Sequence, residues 1–548
     1  MKLKTLVFLA AVGATSNALA APKLVLQVTV DGLRADLLQR YQDSFEKKGF
    51  RYLLKNGAVF SNARYLHANT ETIVGHATLA TGATPAVHGM VGNVWYHAES
   101  GELGYNIEDP EAPLLATRKD VNKGAQIDPA QKRARSKGRS PRGILAPTLS
   151  DTMRISIPGN VRVFGVSGKD RSAVAMAGHT GTAYWYSTDT GDFQTSSYYM
   201  DSYPDWVSSF NEQRKAEAFS GKKWELDFAP ESYLLAKQDD RPYEIDLKGY
   251  GKTFPHPYGD ASHPLFFTRL LVSPAGDQLL SEFAKTLITA EDIGQDNTTD
   301  YLSVSFSSVD AVNHFFGPSS LENEDAVRQL DSTLADFLSF VDQEVGLDET
   351  LIVLSADHGM AEMPEYVTEK GLPAKRLYAH EVLAHARQFA KTRYGDANLV
   401  KDFFRPYLYL DPDVLARREL DRDEVTESLG VALTALDGIR SAVPSASASD
   451  RNEFAVAHNH HRSRSGDLYL YQEPYWFLLE KGPIGVMHGS PWGYDQQVPV
   501  IFAGPGIEAG IYGELVHPID VAPTLANLLG IPAPAASQGN ALPQVTNR

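Results

Sequence analysis

Three aspartates and three histidines stand where apolar runs of the chain end or where small, turn-forming residues cluster. They are Asp31, Asp310, His314, Asp357, His358 and His488. One such residue alone is more often a helix cap or a hydrogen-bonded core residue. Together, carboxylates and imidazoles without thiolates suit Zn²⁺ or a similar divalent ion. Six ligands exceed one tetrahedral zinc site but suit two ions, which is an arrangement used for in-line phosphoryl displacement.

A nucleophile for such a site is available in the stretch "ANTETIVGHATLATG", residues 68–82. Thr70 and Thr72 both lie at the start of a predicted helix that Gly82 can end. A metal ion lowers the pKa of a threonine hydroxyl, and a helix N-terminus favours a bound phosphate. The pattern alone leaves either threonine as the nucleophile.

The elements that must position these residues are apolar runs typical of buried strands. They cover residues 23–30, 161–167, 301–307, 350–356 and 498–504. Such runs predict a parallel sheet covered on both faces, and a helical pattern over 323–346 is the clearest between them. The sequence therefore predicts a doubly wound α/β fold with its ligands at the carboxyl ends of the strands.

Composition restricts the class of protein. The chain has 548 residues, a formal net charge of −17, 43% hydrophobic residues and no cysteine. This predicts a globular protein without disulfides, and the negative charge argues against a general binder of nucleic acid or anionic membranes. No apolar run reaches the length of a membrane span.

The first residues predict a secretory signal peptide. Lys2 and Lys4 precede an apolar core at 6–12, and Ala18-Leu19-Ala20 fits the cleavage pattern. We expect cleavage after Ala20 and a periplasmic or secreted protein. Position 21 is not a cysteine, so no lipoprotein anchor is expected.

The motifs together resemble the alkaline phosphatase superfamily, close to the threonine-nucleophile, phosphate-irrepressible alkaline phosphatases of bacterial periplasms. The similarity runs over about 22–530 and rests on "VTVDGLRADLL", "TETIVGHATLATGATPAVHGMVGN", "SGKDRSA", "SVDAVNHFFGP", "SADHGM" and "MHGSPWGYDQQVPVIFAGPGI". It implies an alkaline-phosphatase-like, mostly parallel central sheet with helices on both faces and inserted cap subdomains. After a signal peptide at 1–20, one catalytic domain would fill 21–548, with insertions at about 97–150, 180–265 and 362–480.

The resemblance also implies a role for each site residue. Thr72, rather than Thr70, would be the nucleophile, and Asn93, Lys169 and Arg171 would contact phosphoryl oxygens. One zinc ion would be held by Asp310, His314 and His488, and a second by Asp31, Asp357, His358 and the Thr72 oxygen.

The Lys169–Arg171 pair favours phosphate monoesters as substrates, because a monoester presents three charged non-bridging oxygens and a diester presents fewer. The simpler interpretation is a surface salt bridge with Asp170. A nucleotide pyrophosphatase/phosphodiesterase is the alternative function, and a non-catalytic metal-binding protein is a remote one. A sulfatase would need a modified Cys or Ser motif that the chain lacks. A mutase would be cytosolic, which the predicted signal peptide contradicts. We expect small phosphate monoesters as ligands and a monomeric protein. The sequence does not identify the natural substrate.

Two further segments are given simpler interpretations. The histidine-rich "HNHH" at 458–461 is interpreted as a turn before a strand rather than a metal site. The basic stretch "KRARSKGRSPRG" at 132–143 is interpreted as a solvated, mobile surface loop.

Overall fold

All five apolar runs form strands of one central sheet in the computed structural model, which describes residues 21–97, 101–115, 127–480 and 482–547. The predicted signal peptide and parts of the predicted 97–150 insertion lie outside the described residues. In chain order the strands are β1 (Leu24–Val30), β2 (Ala58–Arg64), β3 (Val94–His97), β4 (Glu102–Tyr105), β5 (Val163–Ser167), β6 (Thr182–Tyr186), β7 (Phe193–Gln194), β8 (Lys223–Trp224), β9 (His256–Pro257), β10 (Asp300–Phe306), β11 (Thr350–Ser355), β12 (Arg376–Tyr378), β13 (Val400–Phe404), β14 (Tyr407–Leu410), β15 (Ile439–Pro444), β16 (Leu468–Gln472), β17 (Phe477–Leu479), β18 (Gln497–Ala503) and β19 (Gly510–Tyr512).

Helices connect most of these strands. They are α1 (Ala35–Arg40), α2 (Phe50–Asn56), α3 (Thr72–Thr81), α4 (Pro85–His88), α5 (Leu149–Ser156), α6 (Asp170–Ala177), α7 (Asp205–Glu212), α8 (Phe266–Leu271), α9 (Pro274–Ala290), α10 (Ser308–Phe316), α11 (Leu321–Glu344), α12 (Pro364–Glu369), α13 (Ala379–Tyr394), α14 (Pro412–Arg417), α15 (Arg422–Thr434), α16 (Phe454–Asn459), α17 (Gly493–Gln496), α18 (Val521–Leu528) and α19 (Pro543–Thr546). The helix predicted at 323–346 is α11. None of the described helices is both long enough and apolar enough to cross a membrane.

The central sheet has the strand order β19-β2-β18-β11-β1-β10-β5-β6-β7. Strands β11, β1, β10, β5 and β6 pair in parallel, which confirms the predicted fold class. The prediction was wrong for the direction of one strand, because β18 runs antiparallel to both β11 and β2. β18 can run antiparallel because the segment before it brings the chain back to the edge of the sheet where β11 ends.

Both faces of the sheet are covered, as the apolar strands require. Leu24, Leu26 and Val28 of β1 pack in one hydrophobic cluster with residues of α9 and α11. Val25 points to the other face, where it packs in a cluster with residues of α3, α5 and α18. Successive side chains of a strand alternate between faces, so a strand buried on both sides must be apolar throughout.

The segments outside this core have structure of their own. Strands β13, β14, β16 and β15 form a second sheet, which packs with α13 and α15 around a separate hydrophobic cluster. In the segment 180–265, strands β6 and β7 extend the central sheet. Several of its aromatic rings pack on the core, since Phe193 stacks on Phe283 of α9 with ring centroids 4.1 Å apart.

Candidate active site

The carboxyl ends of four parallel strands lie at one level of the sheet. Thr29 of β1 is paired with Ser305 of β10 and Ser355 of β11, and Ser305 is paired with Ser167 of β5. The residues that follow these strands therefore begin at the same edge. They include Asp31, Lys169, Asp310 and Asp357.

The three carboxylates at this edge are buried and offer oxygen atoms that accept no hydrogen bond. These atoms are Asp31 Oδ1, Asp310 Oδ1 and Asp357 Oδ2. Asp357 is oriented through its other oxygen, Oδ1, which accepts from the N–H groups of Gly32 at 3.1 Å and His358 at 3.0 Å. Leaving a buried carboxylate oxygen without a donor is costly, so such atoms indicate a site for a cation.

The three predicted histidine ligands are oriented in the same way. Each ring places Nδ1 against a backbone carbonyl oxygen, which can only accept a hydrogen bond. The carbonyls belong to Val486 for His314 at 3.0 Å, Gly359 for His358 at 2.8 Å and Thr70 for His488 at 2.8 Å. Nδ1 therefore carries the proton in each neutral ring, and Nε2 keeps a lone pair, as metal-binding histidines require.

Each free Nε2 atom faces a carboxylate. The distances are 3.2 Å from His314 to Asp310 Oδ2, 3.4 Å from His358 to Asp31 Oδ1, and 3.6 Å from His488 to Asp310 Oδ1. Ligand atoms converge within 4.8 Å in two groups, Asp310–His358–His488 and Asp31–Asp357–His358. His358 belongs to both groups, whereas His314 adjoins the first through Asp310.

The electrostatics of the cluster also favour cations. Burial disfavours the charged ring of His358, but the carboxylates of Asp357 and Asp31 outweigh burial and raise its pKa to about 9. Burial and the nearby His358 lower the pKa of His488 well below its ordinary value, which keeps that imidazole neutral. The donor set fits two divalent ions.

Thr72 is the first residue of α3, and it is fully buried. Its Oγ1 accepts a hydrogen bond from Arg171 Nη2 at 3.3 Å. Thr70, by contrast, donates its hydroxyl to the carbonyl oxygen of Ser490 at 3.2 Å. The Thr72 hydroxyl is thus the one that faces a cationic side chain.

A glycine lets α3 approach the carboxylate cluster. A Cβ atom on Gly75 would lie 2.0 Å from the carbonyl oxygen of Asp357. His76 follows it, with Nδ1 2.8 Å from the Thr72 carbonyl oxygen and 3.2 Å from Asp357 Oδ2. His76 was not among the site residues predicted from the sequence, although it contacts two of them.

The cationic pair is buried, with Lys169 8% and Arg171 4% exposed. Lys169 Nζ lies 2.7 Å from Asp31 Oδ2 and also contacts Asp310 Oδ2. Burial opposes its charged form, but these two carboxylates outweigh burial and raise the pKa of Lys169. Arg171 pairs with Asp128 at 2.7 Å. The interpretation as a surface salt bridge with Asp170 is therefore wrong.

Asn93 completes the set of predicted residues. Its side-chain oxygen accepts from the N–H group of Ile73 in the first turn of α3, at 3.3 Å. This contact ties the Asn93 side chain to the start of α3, and Asn93 lines the cleft.

A cleft of about 520 Å³ opens above these groups. Its lining includes Asn93, Lys169, Arg171, Asp310 and His488, and also residues of the basic stretch 132–143. The interpretation of that stretch as a solvated loop is wrong for Arg139, which is 8% exposed and donates from Nε to Asp170 at 2.7 Å.

The histidine-rich stretch at 458–461 belongs to neither converging group among the residues the structure describes. His458 instead places Nδ1 3.4 Å from the Leu66 carbonyl oxygen. His458 and Asn459 are the last two residues of α16, so the turn that was expected here follows at 462–464, ahead of β16.

Comparisons with known proteins agree with this geometry. Residues 25–491 match the family described as type I phosphodiesterase / nucleotide pyrophosphatase. A protein of Myroides odoratus named calcium-transporting ATPase is 31% identical over 539 residues, covering 96% of this chain and 94% of the relative. The alkaline phosphatase PhoV of Synechococcus elongatus is 30% identical over 533 residues, covering 95% and 92%.

A third relative is known in structure. The alkaline phosphatase PafA of Elizabethkingia meningoseptica is 30% identical over 542 residues, covering 97% of this chain and 96% of the relative. A crystal structure of wild-type PafA superposes with a TM-score of 0.88, covering 97% of this chain and 100% of PafA at 28% identity.

Proposed function

This chain belongs to the type I phosphodiesterase / nucleotide pyrophosphatase family of the alkaline phosphatase superfamily, and we propose that it hydrolyses phosphate monoesters through a covalent phosphothreonine at Thr72. Relatives named alkaline phosphatase that match nearly the whole chain make it a phosphoric monoester hydrolase. The observation that carries the mechanism is the contact of the Thr72 hydroxyl with Arg171, beside carboxylate and imidazole lone pairs that have no donor.

The phosphoryl group would bind between Thr72 and the cationic pair. Arg171 now covers the Thr72 hydroxyl, so the guanidinium group has to move onto the phosphoryl oxygens when the substrate enters. Lys169 and the Asn93 amide donate to further oxygens, and the positive end of the α3 dipole favours the anion. Thr72 Oγ1 attacks phosphorus, the ester oxygen leaves, and water then hydrolyses the phosphothreonine to release inorganic phosphate.

Two zinc ions are part of the proposal. Asp310, His314 and His488 would hold one, and Asp31, Asp357 and His358 the other, together with the Thr72 oxygen. When bound, the ions would lower the pKa of the Thr72 hydroxyl and stabilise the leaving oxygen. The buried carboxylate oxygens without donors and the oriented imidazoles support this assignment.

Phosphodiester hydrolysis is the alternative, because the family description includes phosphodiesterases. The buried cationic pair favours monoesters. A monoester dianion offers charged oxygens to Lys169 and Arg171 at once, whereas the substituent of a diester would occupy one of these positions. We also propose that the enzyme acts in the periplasm or outside the cell as a monomer, after cleavage near Ala20.

The test is a paired assay on the purified, zinc-loaded chain. We would measure kcat/KM for an aryl phosphate monoester and its matching diester at alkaline pH, before and after removal of zinc by a chelator. Monoester preference and loss of activity on chelation are expected. A diester preference would favour the phosphodiesterase alternative.

Two matched variants test the nucleophile. Thr72→Ala should lower turnover at least a thousandfold and abolish a phosphoprotein trapped by acid quenching. Thr70→Val keeps the shape of its side chain and should retain turnover within about tenfold. If Thr72→Ala kept near-native turnover, the phosphothreonine assignment would be wrong.

A further inference from the structure

Arg405 reaches the active site from outside the central sheet. It follows β13, in the segment that carries the second sheet, and it is 5% exposed. Its Nη1 group donates to the carbonyl oxygens of His488 at 2.7 Å and Gly489 at 3.2 Å. Its Nη2 group donates to Glu71 Oε1 at 3.1 Å. One guanidinium group therefore joins a predicted metal ligand to the start of α3.

Glu71 extends this connection to two further site residues. It precedes Thr72 directly, at the N-cap position of α3. Its second oxygen, Oε2, accepts from the N–H group of Asn93 at 2.6 Å. The Glu71 carboxylate thus contacts Arg405 on one side and the segment that carries Asn93 on the other.

Two glycines leave room for these contacts. Gly489 has a φ of +100°, and a Cβ atom there would lie 2.7 Å from Arg405 Nη1. A Cβ atom on Gly92 would lie 3.2 Å from Glu71 Oε2. The backbone on both sides of the ion pair is therefore shaped to let the charged groups approach.

A buried ion pair gives little net stability compared with apolar residues of similar volume, so its main effect here is on geometry. We propose that Arg405 and Glu71 are positioning residues, which hold His488, the start of α3 with Thr72, and Asn93 in one arrangement. This inference rests on the proposed phosphatase function, because it assigns the pair to the same site. Both residues line the cleft, and the role proposed for them is to act through His488, Thr72 and Asn93 rather than by contact with the reacting atoms.

The test compares Arg405→Met with Arg387→Met in the same segment. Arg387 also donates to backbone carbonyls, at Val400 and Lys401, but contacts none of the predicted site residues. Changes in the outer shell of a metal site usually cost ten- to a hundredfold in metal affinity or activity. We therefore expect Arg405→Met to lower kcat, and to weaken zinc binding in a chelator competition, each by about 10- to 100-fold, with Arg387→Met within about threefold of wild type.

A second variant separates positioning from folding. Glu71→Gln keeps the side-chain size but replaces one of the two carboxylate oxygens with an NH₂ group. The variant therefore cannot offer separate oxygen acceptors to Arg405 and to the Asn93 N–H group. It should lower kcat more than it raises KM for an aryl monoester, in a chain that still unfolds in one cooperative transition, although at a lower temperature because Arg405 loses a buried partner. The kcat of the double variant Arg405→Met/Glu71→Gln should be little lower than that of Arg405→Met, because both changes remove the same contact.

Equal kcat and zinc affinity in Arg405→Met and Arg387→Met would overturn the positioning role. If Arg405→Met failed to fold, Glu71→Gln would decide, and unchanged kcat and zinc affinity in that variant would overturn the role as well. If the wild-type chain bound zinc but hydrolysed no monoester, the proposed function would fail, while the zinc competition would still test the positioning.

Discussion

Asp277 is a buried carboxyl group whose replacement should stabilise the protein at alkaline pH. It lies on α9, and its Oδ1 accepts from the N–H groups of Ser307 at 2.9 Å and Ser308 at 3.1 Å, at the start of α10. That helix carries Asp310 and His314. Burial raises the pKa of Asp277 from its ordinary 3.8 to about 7.

The sign of the effect follows from where the proton is held. Between pH 4 and 7 the folded protein keeps the Asp277 carboxyl neutral, whereas the unfolded chain ionises it. The stability that this neutral group preserves is complete below pH 4 and is lost as the pH rises towards 7. The loss amounts to about 4 kcal/mol, at 1.36 kcal/mol for each pH unit between the two pKa values.

Asp277→Asn cannot ionise, but its side-chain oxygen can still accept from both N–H groups. We would measure the free energy of unfolding in urea, with zinc removed from both proteins, at pH 4.5 and pH 8. The variant should gain about 3 kcal/mol relative to wild type between these pH values. The exposed Asp205, changed to Asn, serves as the control. A stability difference that stayed constant with pH, or moved the other way, would refute the reasoning.

Two further predictions concern the site itself. Lys169→Ala removes a buried cationic donor, so kcat/KM for an aryl monoester should fall about 10²- to 10³-fold. The kcat/KM for the matching diester should fall less than about tenfold. An equal fall for both substrates would contradict the proposed role of the cationic pair. Gly75→Ala introduces a Cβ atom 2.0 Å from the Asp357 carbonyl oxygen. This should cost about 1–3 kcal/mol in urea unfolding and lower kcat at least tenfold as α3 moves, and native activity in a stable variant would show that the close approach is not required.

The aspartates were predictable from the sequence because strand ends have a local signature. Asp31 and Asp357 directly follow the apolar runs at 23–30 and 350–356, and Asp310 lies in the first turn of the helix after the run at 301–307. Parallel pairing brings such positions to one edge of the sheet. The end of each strand can be predicted from its own apolar run, so these aspartates could be located with no long-range information beyond the fold class.

His488 was recognised by its motif, while its place in the fold was not predictable. It precedes β18 instead of following a strand, and the run at 498–504 was expected to be parallel. Because β18 is antiparallel to β11, the start of β18 lies at the edge where the parallel strands end. The strand direction depends on pairing between distant segments, which the apolar run does not encode.

The Glu71–Arg405 pair had no sequence signal that could reveal it. The two residues are 334 positions apart, and each belongs to a locally ordinary pattern. The same holds for Asp128, whose contact with Arg171 joins residues 43 positions apart. A charge pair across a fold becomes visible only when packing has brought both partners together and removed them from water.

Different parts of the chain position different residues of the site. The register of the central sheet positions the carboxylates, and backbone carbonyls orient the imidazoles. The phosphate-facing groups instead depend on segments outside the sheet, because Asp128 holds Arg171 and Arg405 reaches Asn93 through Glu71. A sheet that fixes the predicted metal ligands can therefore stay unchanged while the outer segments alter how the proposed phosphate-binding groups are held. On this account, preference for monoesters or diesters depends both on Lys169, which follows β5 of the central sheet, and on the outer segments that hold Arg171 and Asn93.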